Sequence, residues 1–384
     1  MKEGWEYKKL GDITEIKGGK RLPKGVKLLT TPTEHPYIRV ADFNDFGTVD
    51  TDDIHYISDS VYEQIKRYII KKEDVYISIA GTIGKSGIIP DYLDGANLTE
   101  NACRLILSSN VCQRYVYYFT ISPSFIKQID ERTKKSAQPK LALTRLSDVI
   151  ITYPTIKEQQ SIVDYLDSAF AKIDAMKANA EKALNEAKAL FQASLKEMLE
   201  PKEGWEEKKF GDVCWYNKKN GLHKGTRYVG MEHIEQGTGR LLCTISSDDV
   251  LSNTFAFNKG DVLYGRLRPY LKKVIVAGFE GCCSTEIFPI QSKEIISSFL
   301  MYWFLTDEIT NKVNATCAGC RMPRGNMNDV LKFDISYPSI QEQQSIVETL
   351  DSLKSKVDKL QANYDKISQE CDALKQAILR QVFE

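Results

Sequence analysis

A motif that occurs twice constrains the fold of this chain more than any other feature. It reads Pro-Thr-Ile-Lys-Glu-Gln-Gln-Ser-Ile-Val from Pro154 and Pro-Ser-Ile-Gln-Glu-Gln-Gln-Ser-Ile-Val from Pro338. In the first copy Thr155 precedes Glu158 by three positions, and the second copy keeps this spacing. Such a pair is the capping box, in which the hydroxyl accepts a hydrogen bond from an amide of the first helical turn and the glutamate accepts one from the amide of the cap. Each copy therefore predicts the start of a helix.

An apolar stripe follows each of the two helix starts. Its members recur at alternating steps of four and three residues over more than three heptads, and such a stripe requires another helix to pack against. The chain offers one obvious partner for each stripe, which is the other copy. A helix from Ile156 to Leu199 would be roughly 66 Å long, on the scale of about two turns of DNA. The predicted helix interface consists of Ile162, Leu166, Ile173, Met176, Leu190, Ile346, Leu350, Val357, Leu360, Ile367 and Leu374.

The repeat extends beyond the helices. Glu3-Gly4-Trp5-Glu6 returns as Glu203-Gly204-Trp205-Glu206, so the chain is a globular domain followed by a long helix, twice over. Because the second helix ends where a further domain would begin, we expect it to return towards the first domain, antiparallel to the first helix. We predict an α+β protein with two α/β domains, related by a pseudo-twofold axis and joined by the two helices as a coiled coil. The predicted segments are residues 1–153 (first domain), 154–200 (first helix), 201–337 (second domain) and 338–384 (second helix).

Between these shared edges the two domains diverge strongly in sequence. Short runs of β-branched and aromatic residues between glycine-rich turns predict strands in a mixed core. A scaffold that is kept while its surfaces change is typical of a protein that reads two different targets. We predict a strand at residues 37–42 equivalent to one at 228–233, and another at 74–79 equivalent to one at 261–266; residues 99–100 are expected to match 285–286.

Composition narrows the class of protein. The 52 lysines and arginines balance 52 aspartates and glutamates, which allows local basic surfaces without requiring them. No apolar run approaches the length of a membrane span and the N-terminus starts no signal peptide, so we expect a cytoplasmic protein with no membrane contact. Nine irregularly spaced cysteines favour reduced thiols over a disulfide framework.

Three pairs of loops with basic residues occupy matching positions in the two domains, and each could lie along DNA phosphates. The loop at residues 81–86 ends in Gly-Lys-Ser but is not a phosphate-binding loop of nucleotides, because Ile79 stands where the first glycine is needed. At the same place in the second domain, Arg266 and Arg268 could bind guanine edges or phosphates, and Gln138 and Asn326 in the last loops could read adenine edges. Ordinary solvated turns are the alternative. The predicted DNA-binding residues are Lys20, Arg21, Lys24, Arg39, Lys85, Ser86, Lys135, Gln138, Lys140, Lys219, His223, Lys224, Arg266, Arg268, Tyr270, Arg321, Arg324 and Asn326.

Candidate metal ligands and catalytic groups are few. Cys317 and Cys320 have C-x-x-C spacing, and the neighbouring pair Cys282 and Cys283 could complete a zinc site. The first domain has no such cluster, so the scaffold does not require a metal and we predict none. The four histidines show no ligand spacing, and the sequence contains no methyltransferase or nuclease motif. We therefore predict no catalytic residues and no cofactor in this chain.

These features together resemble the specificity subunits of type I restriction–modification systems. The resemblance covers essentially the whole chain and rests on Gly-Trp-Glu followed by Leu10-Gly11-Asp12 or Phe210-Gly211-Asp212, on the two helix-start motifs, and on the order domain–helix–domain–helix. One departure is Tyr153, together with its counterpart in the second copy, where many members have a second proline. Because the capping box is intact, we expect this departure to change little.

The resemblance implies a function for each part. Each domain would be a target recognition domain that reads one half of a split site in double-stranded DNA. The helices would set the spacing between the half-sites and dock two modification subunits, which carry S-adenosylmethionine and methylate adenine. Restriction subunits, which are motors and nucleases that use ATP and Mg²⁺, would join through those. The chain itself would be a non-catalytic subunit.

Two other functions compete with this one. A protein scaffold or adaptor with a coiled-coil core would fit the zero net charge and the long helices, and it would show little salt-sensitive DNA binding. An enzyme in its own right is disfavoured because no active-site constellation is present in the sequence.

Overall fold

The computed structural model describes residues 5–133, 139–317 and 321–384. Contacts between Cα atoms divide the chain into two compact units. Unit 1 comprises Met1–Asn179 with Lys366–Glu384, and unit 2 comprises Ala180–Asp365. Each unit therefore contains one globular domain together with parts of both long helices. The boundaries of the four segments predicted from sequence stay a prediction.

The two domains contain nearly the same elements in the same order. The first domain consists of β1 (Glu6–Lys9), α1 (Leu10–Ile13), β2 (Thr14–Gly18), β3 (Pro36–Ile38), β4 (His55–Tyr56), α2 (Asp59–Ile65), β5 (Val75–Ser78), β6 (Ser86–Gly87), β7 (Asn97–Leu98), β8 (Ala102–Leu107), α3 (Gln113–Thr120), α4 (Pro123–Arg132), α5 (Leu143–Ser147) and β9 (Ile150–Tyr153), and it is followed by α6 (Ile156–Leu199). The second consists of β10 (Glu206–Lys209), α7 (Phe210–Val213), β11 (Cys214–Tyr216), β12 (Asn220–Gly221), β13 (Arg227–Val229), β14 (Ile245–Ser246), β15 (Thr254–Phe257), β16 (Val262–Gly265), β17 (Val274–Val276), β18 (Gly281–Ser284), β19 (Ile287–Ser292), α8 (Ser297–Leu305), α9 (Asp307–Ala315), α10 (Met327–Val330) and β20 (Asp334–Tyr337), and it is followed by α11 (Ile340–Phe383).

Each domain is built on a four-stranded antiparallel sheet, in the order β2-β8-β5-β6 in the first and β11-β19-β16-β17 in the second. A second sheet accompanies it, with the order β4-β3-β7 in the first domain and β12-β15-β18-β13-β14 in the second. A short ladder joins the first strand of each domain to the last, β1 to β9 and β10 to β20. These ladders place the start of each domain next to the strand that leads into its long helix.

The strand register corrects one of the expected equivalences. Ser78 pairs with Ala102 in the first domain, and Gly265 pairs with Ile287 in the second. The residue before Ala102 is Asn101, so Asn101 is the structural counterpart of Glu286. The proposed match of residues 99–100 with 285–286 was therefore wrong by one position.

The segments at 37–42 and 228–233 are equivalent, but the prediction of a six-residue strand in each was wrong. Each strand lasts three residues, as β3 and β13, and each segment then turns into a 3-10 helix at Val40–Asp42 or Met231–His233. The cause is a side chain that captures a backbone amide, since Asp42 accepts from the amide of Arg39 at 2.6 Å. The His233 ring does the same for the amide of Gly230 at 3.0 Å. An amide held in this way is not free to continue a strand ladder.

Both long helices begin directly after the predicted caps, and each has 44 residues. At the first, the amide of Thr155 donates to Glu158 at 2.9 Å and the amide of Glu158 donates to the Thr155 hydroxyl at 3.4 Å, which is the complete capping box. At the second, the Ser339 hydroxyl accepts from the amide of Glu342 at 3.4 Å. The Glu342 carboxylate accepts from the Trp205 indole at 3.2 Å, so the tryptophan of the repeated Gly-Trp motif is bonded to the first turn of the helix.

The two helices run antiparallel within unit 1. Ile162 and Val382 line one surface depression, and further along α6 the carbonyl of Ile173 accepts from the Cys371 thiol at 3.8 Å. Advancing along α6 therefore means moving backwards along α11. In unit 2 the later part of α6 meets the earlier part of α11, where Lys188 donates to Gln361 at 2.7 Å.

The structure places part of the predicted helix interface elsewhere. Met176 and Leu190 on α6 are 58% and 60% exposed, and Leu374 on α11 is 47% exposed, so these three assignments were wrong. Each heptad of α6 has two apolar positions, and one of them is buried as predicted. At the other position the buried residue is the next one along the chain, which lies about 100° further around the helix. The apolar stripe of the helix is wide enough that the sequence allows either choice. Lys177 and Phe191 take the places of Met176 and Leu190, and Val163, Phe170 and Leu184 are the corresponding positions in the other heptads of α6. The remaining predicted interface residues are buried or half-buried, namely Ile162, Leu166, Ile173, Ile346, Leu350, Val357, Leu360 and Ile367.

A buried glutamine in each motif ties each helix to its domain. Gln159 accepts from the amide of Cys112 at 2.8 Å and donates to the carbonyl of Pro154 at 2.9 Å. Gln343 accepts from the amide of Ile296 at 2.8 Å and donates to the carbonyl of Pro338 at 2.9 Å. Both glutamines are completely buried. The repeated motif therefore combines a helix cap with a buried glutamine that hydrogen-bonds the helix to its domain.

No helix in the described part of the chain is long and apolar enough to cross a bilayer.

Candidate nucleic-acid interface

Two of the loops that the sequence predicts to contact DNA form a single surface in the second domain. The loop after β16 and the loop before α10 are joined by an antiparallel bridge between Leu267 and Arg324. The amide of Arg268 donates to the carbonyl of Pro323 at 2.8 Å, and the amide of Gly325 donates to the carbonyl of Arg266 at 2.9 Å. Side chains from two distant parts of the sequence are thereby fixed next to one another.

The first domain has the same arrangement with different side chains. Ala80 bridges Lys140, and the amide of Leu141 donates to the carbonyl of Ile79 at 2.9 Å. By these matching backbone contacts, Ile79 is equivalent to Arg266 and Lys140 is equivalent to Arg324. The backbone geometry is therefore duplicated, whereas the chemistry displayed on it is not.

A carboxylate organises the arginines of the second domain. Glu286 accepts from Nε of Arg266 at 3.0 Å and from Nε of Arg324 at 2.9 Å. The guanidinium of Arg266 lies over the ring of Phe288, with 5.4 Å between the guanidinium carbon and the ring centroid. The loop after β11, which is the first basic loop of the second domain, contacts the same ring, because Nζ of Lys218 lies 5.0 Å from the ring centroid. We call Arg266, Glu286 and Arg324 the arginine cluster.

A strained turn lies beside the arginine cluster. Arg268 and Lys272 have positive φ angles of 50° and 47°, a conformation that costs a residue with a side chain on the order of 1 kcal/mol or more. Lys272 is anchored, since Nζ donates to the carbonyl of Leu305 at 3.0 Å and to Asp307 at 2.6 Å. Tyr270, between the two strained residues, is 51% exposed. The turn therefore holds Arg268 and Tyr270 at the surface on a fixed backbone.

The first basic loop of domain 1 packs on the turn that links β7 and β8. The amide of Lys20 donates to the carbonyl of Leu98 at 2.8 Å, and Nε of Arg21 donates to Glu100 at 2.7 Å. The hydrogen bond to Glu100 raises the pKa of Arg21 above its usual value. A side chain at Gly19 would lie 2.1 Å from the carbonyl oxygen of Thr99, so this close approach requires glycine.

Several predicted DNA contacts have internal partners instead. Ser86 is buried and donates to the Thr120 hydroxyl at 2.8 Å, so its assignment was wrong. The guanidinium of Arg39 is bound by Asp42 and Asp53 and is half-buried, so DNA contact by this side chain stays a prediction. The side chain is thus used to hold the 3-10 turn of its own domain.

Four further predicted contacts are engaged within the protein, although they lie at or near the surface. Nζ of Lys85 pairs with Asp45 at 2.9 Å, and Nζ of Lys224 donates to the carbonyl of Val250 at 2.8 Å. The His223 ring bonds to the Thr254 hydroxyl at 2.9 Å, and the Asn326 side chain caps α10 by accepting from the amide of Asn328 at 3.1 Å. DNA contact by these residues stays a prediction. Exposed positions are occupied by Lys20, Lys24, Lys140, Lys219 and Arg321, whereas Lys135 and Gln138 lie outside the described residues.

The zinc alternative finds no support in the described residues. Cys282 and Cys283 are buried neighbours on β18, Cys317 is half-buried, and Cys320 lies outside the described residues. Among the residues that the structure describes, no group of three or more histidine, cysteine or acidic side chains is placed to hold a metal ion.

Sequence reasoning missed Glu286, Phe288 and the two buried glutamines. In the sequence, Glu286 stands out only through the match of residues 285–286 with 99–100, which is off by one position and gives no sign of its arginine partners. Both glutamines belong to the repeated motif. The signal that could have identified them is that they are identical in the two copies although the two domains diverge in sequence.

Comparison with known proteins gives a consistent set of similarities. A family model described as the type I restriction modification DNA specificity domain matches residues 2–186 and again 202–369. The EcoDI specificity subunit of Escherichia coli, from a type I restriction enzyme, is 27% identical over an alignment of 297 residues that covers 67% of this chain and 67% of that protein. The MjaVIII specificity subunit of Methanocaldococcus jannaschii is 24% identical over 178 residues, 43% of this chain and 39% of that protein.

Solved structures show the same fold. A chain from a study of complex assembly and conformational transition of the type I R-M system superposes with a TM-score of 0.77, covering 99% of this chain and 97% of that chain at 16% identity. The HsdS subunit of Thermoanaerobacter tengcongensis superposes with a TM-score of 0.58 at 16% identity, covering 100% of this chain and 97% of that chain. The predicted α+β fold with two domains and two long helices is confirmed.

Proposed function

The chain belongs to the type I restriction–modification DNA specificity family, as its sequence predicts, and we propose that each of its two recognition domains reads one half of a bipartite site in double-stranded DNA. The observation that carries this proposal is the duplicated backbone with divergent side chains. Ile79 and Lys140 stand in the first domain where Arg266 and Arg324 stand in the second. Two readers with one geometry and different surfaces suit a site whose halves differ in sequence.

Affinity and specificity would come from different residues. Exposed lysines such as Lys20, Lys24 and Lys140 in the first domain suit contacts with phosphates, which position a protein without reading sequence. In the second domain Glu286 holds the two arginines of the cluster, whose guanidinium groups match the acceptors of a guanine edge. Binding should therefore weaken steeply with salt, while the preference for sequence should depend on few residues.

The long helices would set the number of base pairs between the half-sites and dock two modification subunits. The chain would be the non-catalytic subunit of the complex and would act in the cytoplasm. The modification subunits would supply S-adenosylmethionine, and the restriction subunits would supply ATP and Mg²⁺.

The first test is selection from random DNA duplexes by the chain assembled with its modification subunits. We expect a motif of two specified parts separated by a gap of fixed length, and an affinity that falls linearly with salt on a double logarithmic plot. Selection that returns no preferred sequence would refute the proposal. Binding that is weak and insensitive to salt would favour the protein scaffold instead.

The spacing role has its own test. Inserting four residues into α6 between Ala175 and Ala187 shifts the heptad phase and should change the allowed gap or prevent assembly. A matched insertion of seven residues in both helices keeps the heptad phase and should lengthen the gap by about three base pairs, since it adds about 10.5 Å of helix. An active complex with an unchanged gap in both variants would contradict the role of the helices as a spacer.

A further inference from the structure

The arginine cluster is built to fix the orientation of two guanidinium groups. The Glu286 carboxylate is 21% exposed, and each of its oxygens accepts from one arginine. The side chains of Arg266 and Arg324 are more exposed, at 32% and 43%. The carboxylate therefore lies beneath the two arginines and is the less accessible member of the cluster.

Glu286 holds the two arginines in a way that leaves their terminal amino groups available to bind a base. Glu286 engages Nε of each arginine, and no described residue accepts a hydrogen bond from the terminal amino groups of Arg266 or Arg324. The ring of Phe288 supports the flat face of Arg266. A guanidinium fork that is already oriented loses less rotational freedom when it binds a base edge.

We propose that Arg266 and Arg324, positioned by Glu286, recognise guanine in the half-site that the second domain reads. This inference rests on the proposed function. An arginine fork matches the O6 and N7 acceptors of guanine in the major groove. A site built only for phosphate would gain from both positive charges, whereas Glu286 cancels one of them and would repel a phosphate. The carboxylate is therefore explained by orientation for a base edge.

The first domain supplies the internal contrast. At the three equivalent positions it carries Ile79, Asn101 and Lys140, which form no such cluster. At these described positions the first domain therefore has no oriented pair of arginines, and the inference concerns the second domain. Lys140, at the position equivalent to Arg324, gives a matched control site.

The experiment compares the wild-type chain with R266K, R324K, E286Q and K140A, each assembled with modification subunits, by selection from random duplexes and by salt titration on the selected site. We expect a guanine at one or more fixed positions of the wild-type motif. R266K and R324K keep the positive charge but lose the fork, so discrimination at those positions should fall about tenfold, within a range of 5- to 150-fold, with an unchanged salt slope.

E286Q separates a positioning role from a merely structural one. It keeps the size of the side chain and removes a negative charge, so binding to nonspecific DNA should stay equal or become tighter while discrimination at the guanine falls. K140A removes a residue assigned to phosphate contact in the other half-site, so it should weaken binding to all sequences alike and leave these positions of the motif unchanged. Equal thermal stability of all variants shows that the domain still folds.

Three results would overturn the inference without touching the proposed function. One is a bipartite motif in which no guanine position responds to R266K, R324K or E286Q. Another is a loss of affinity in R266K and R324K that is the same for all sequences, which identifies phosphate contacts. The third is a change at the same positions in K140A. A wild-type complex with no sequence preference would instead refute the proposed function itself.

Discussion

Replacing Gln343 by alanine should destabilise unit 2 strongly, because this glutamine has no access to solvent and makes three hydrogen bonds. Its side-chain oxygen accepts from the amide of Ile296 at 2.8 Å, and its nitrogen donates to the carbonyl of Pro338 at 2.9 Å and to the carbonyl of Glu294 at 3.0 Å. These bonds join the first turn of α11 to the segment before α8 and to the strand that ends at Tyr337.

The expected loss is about 3 to 5 kcal/mol in the free energy of unfolding. The three hydrogen bonds at about 1 kcal/mol net each account for about 3 kcal/mol, and one former partner left buried without water would add about 2 kcal/mol more. Gln344 is the matched control, since it is the next residue, has the same side chain and is exposed. Gln344→Ala should stay within about 0.5 kcal/mol of the wild type.

Urea unfolding followed by tryptophan fluorescence measures this loss. Three of the four tryptophans, Trp205, Trp215 and Trp303, lie in unit 2 and report on it. With a slope of about 2 kcal/mol per molar urea, a loss of 3 kcal/mol lowers the midpoint by about 1.5 M. If Gln343→Ala and Gln344→Ala have the same midpoint, the repeated glutamine does not tie the helix to the domain and the reasoning fails.

Three further predictions concern the helices and their junctions. Ile173→Ala should lower the free energy of unfolding by about 2–4 kcal/mol and Met176→Ala by less than about 0.5, measured by thermal unfolding; the reverse order would contradict the revised helix interface. Tyr302→Phe, which removes the 2.5 Å hydrogen bond to Asp351, should lose about 1–2 kcal/mol in the urea assay, and an unchanged midpoint would refute this contribution. The hydroxyl and amide of the helix cap hold the pKa of Glu158 below its ordinary value of 4.5, so its carboxylate stabilises the fold above that pH and the stabilisation is lost as pH falls through the lower value. The difference in melting temperature between wild type and Glu158→Gln should therefore shrink as pH is lowered below 4.5, and a difference that does not change with pH would count against the capping box.

The sequence predicted best what local chemistry determines. A helix cap needs a hydroxyl, a glutamate and a spacing of three, all within one turn, so both helix starts were located to the residue. The strands at Val75–Ser78 and Val262–Gly265 were also foreseen, because continuous apolar residues before a glycine-rich loop leave few alternatives. The duplication of the whole domain was visible because the Trp and Gln motifs recur in order.

The sequence failed where one residue decides between two similar choices. On α6 both Met176 and its neighbour Lys177 fit a heptad of this stripe, and the longer, partly apolar lysine stem is the one that packs. The 3-10 turns after β3 and β13 were missed because they depend on a side chain that folds back onto an amide, which periodicity does not report.

What the sequence by itself determined is therefore the plan of the protein: two copies of a domain, each followed by a capped helix of the same length. Only the tertiary structure decided which basic residues act together. The sequence pairs Arg266 with Arg268, which lies two residues away, whereas in the structure Arg266 shares the carboxylate of Glu286 with Arg324. The physical reason is that caps and heptads are set by neighbours within one or two turns, whereas the arginine cluster is assembled by a strand register and a bridge between loops far apart in sequence, which no local pattern encodes.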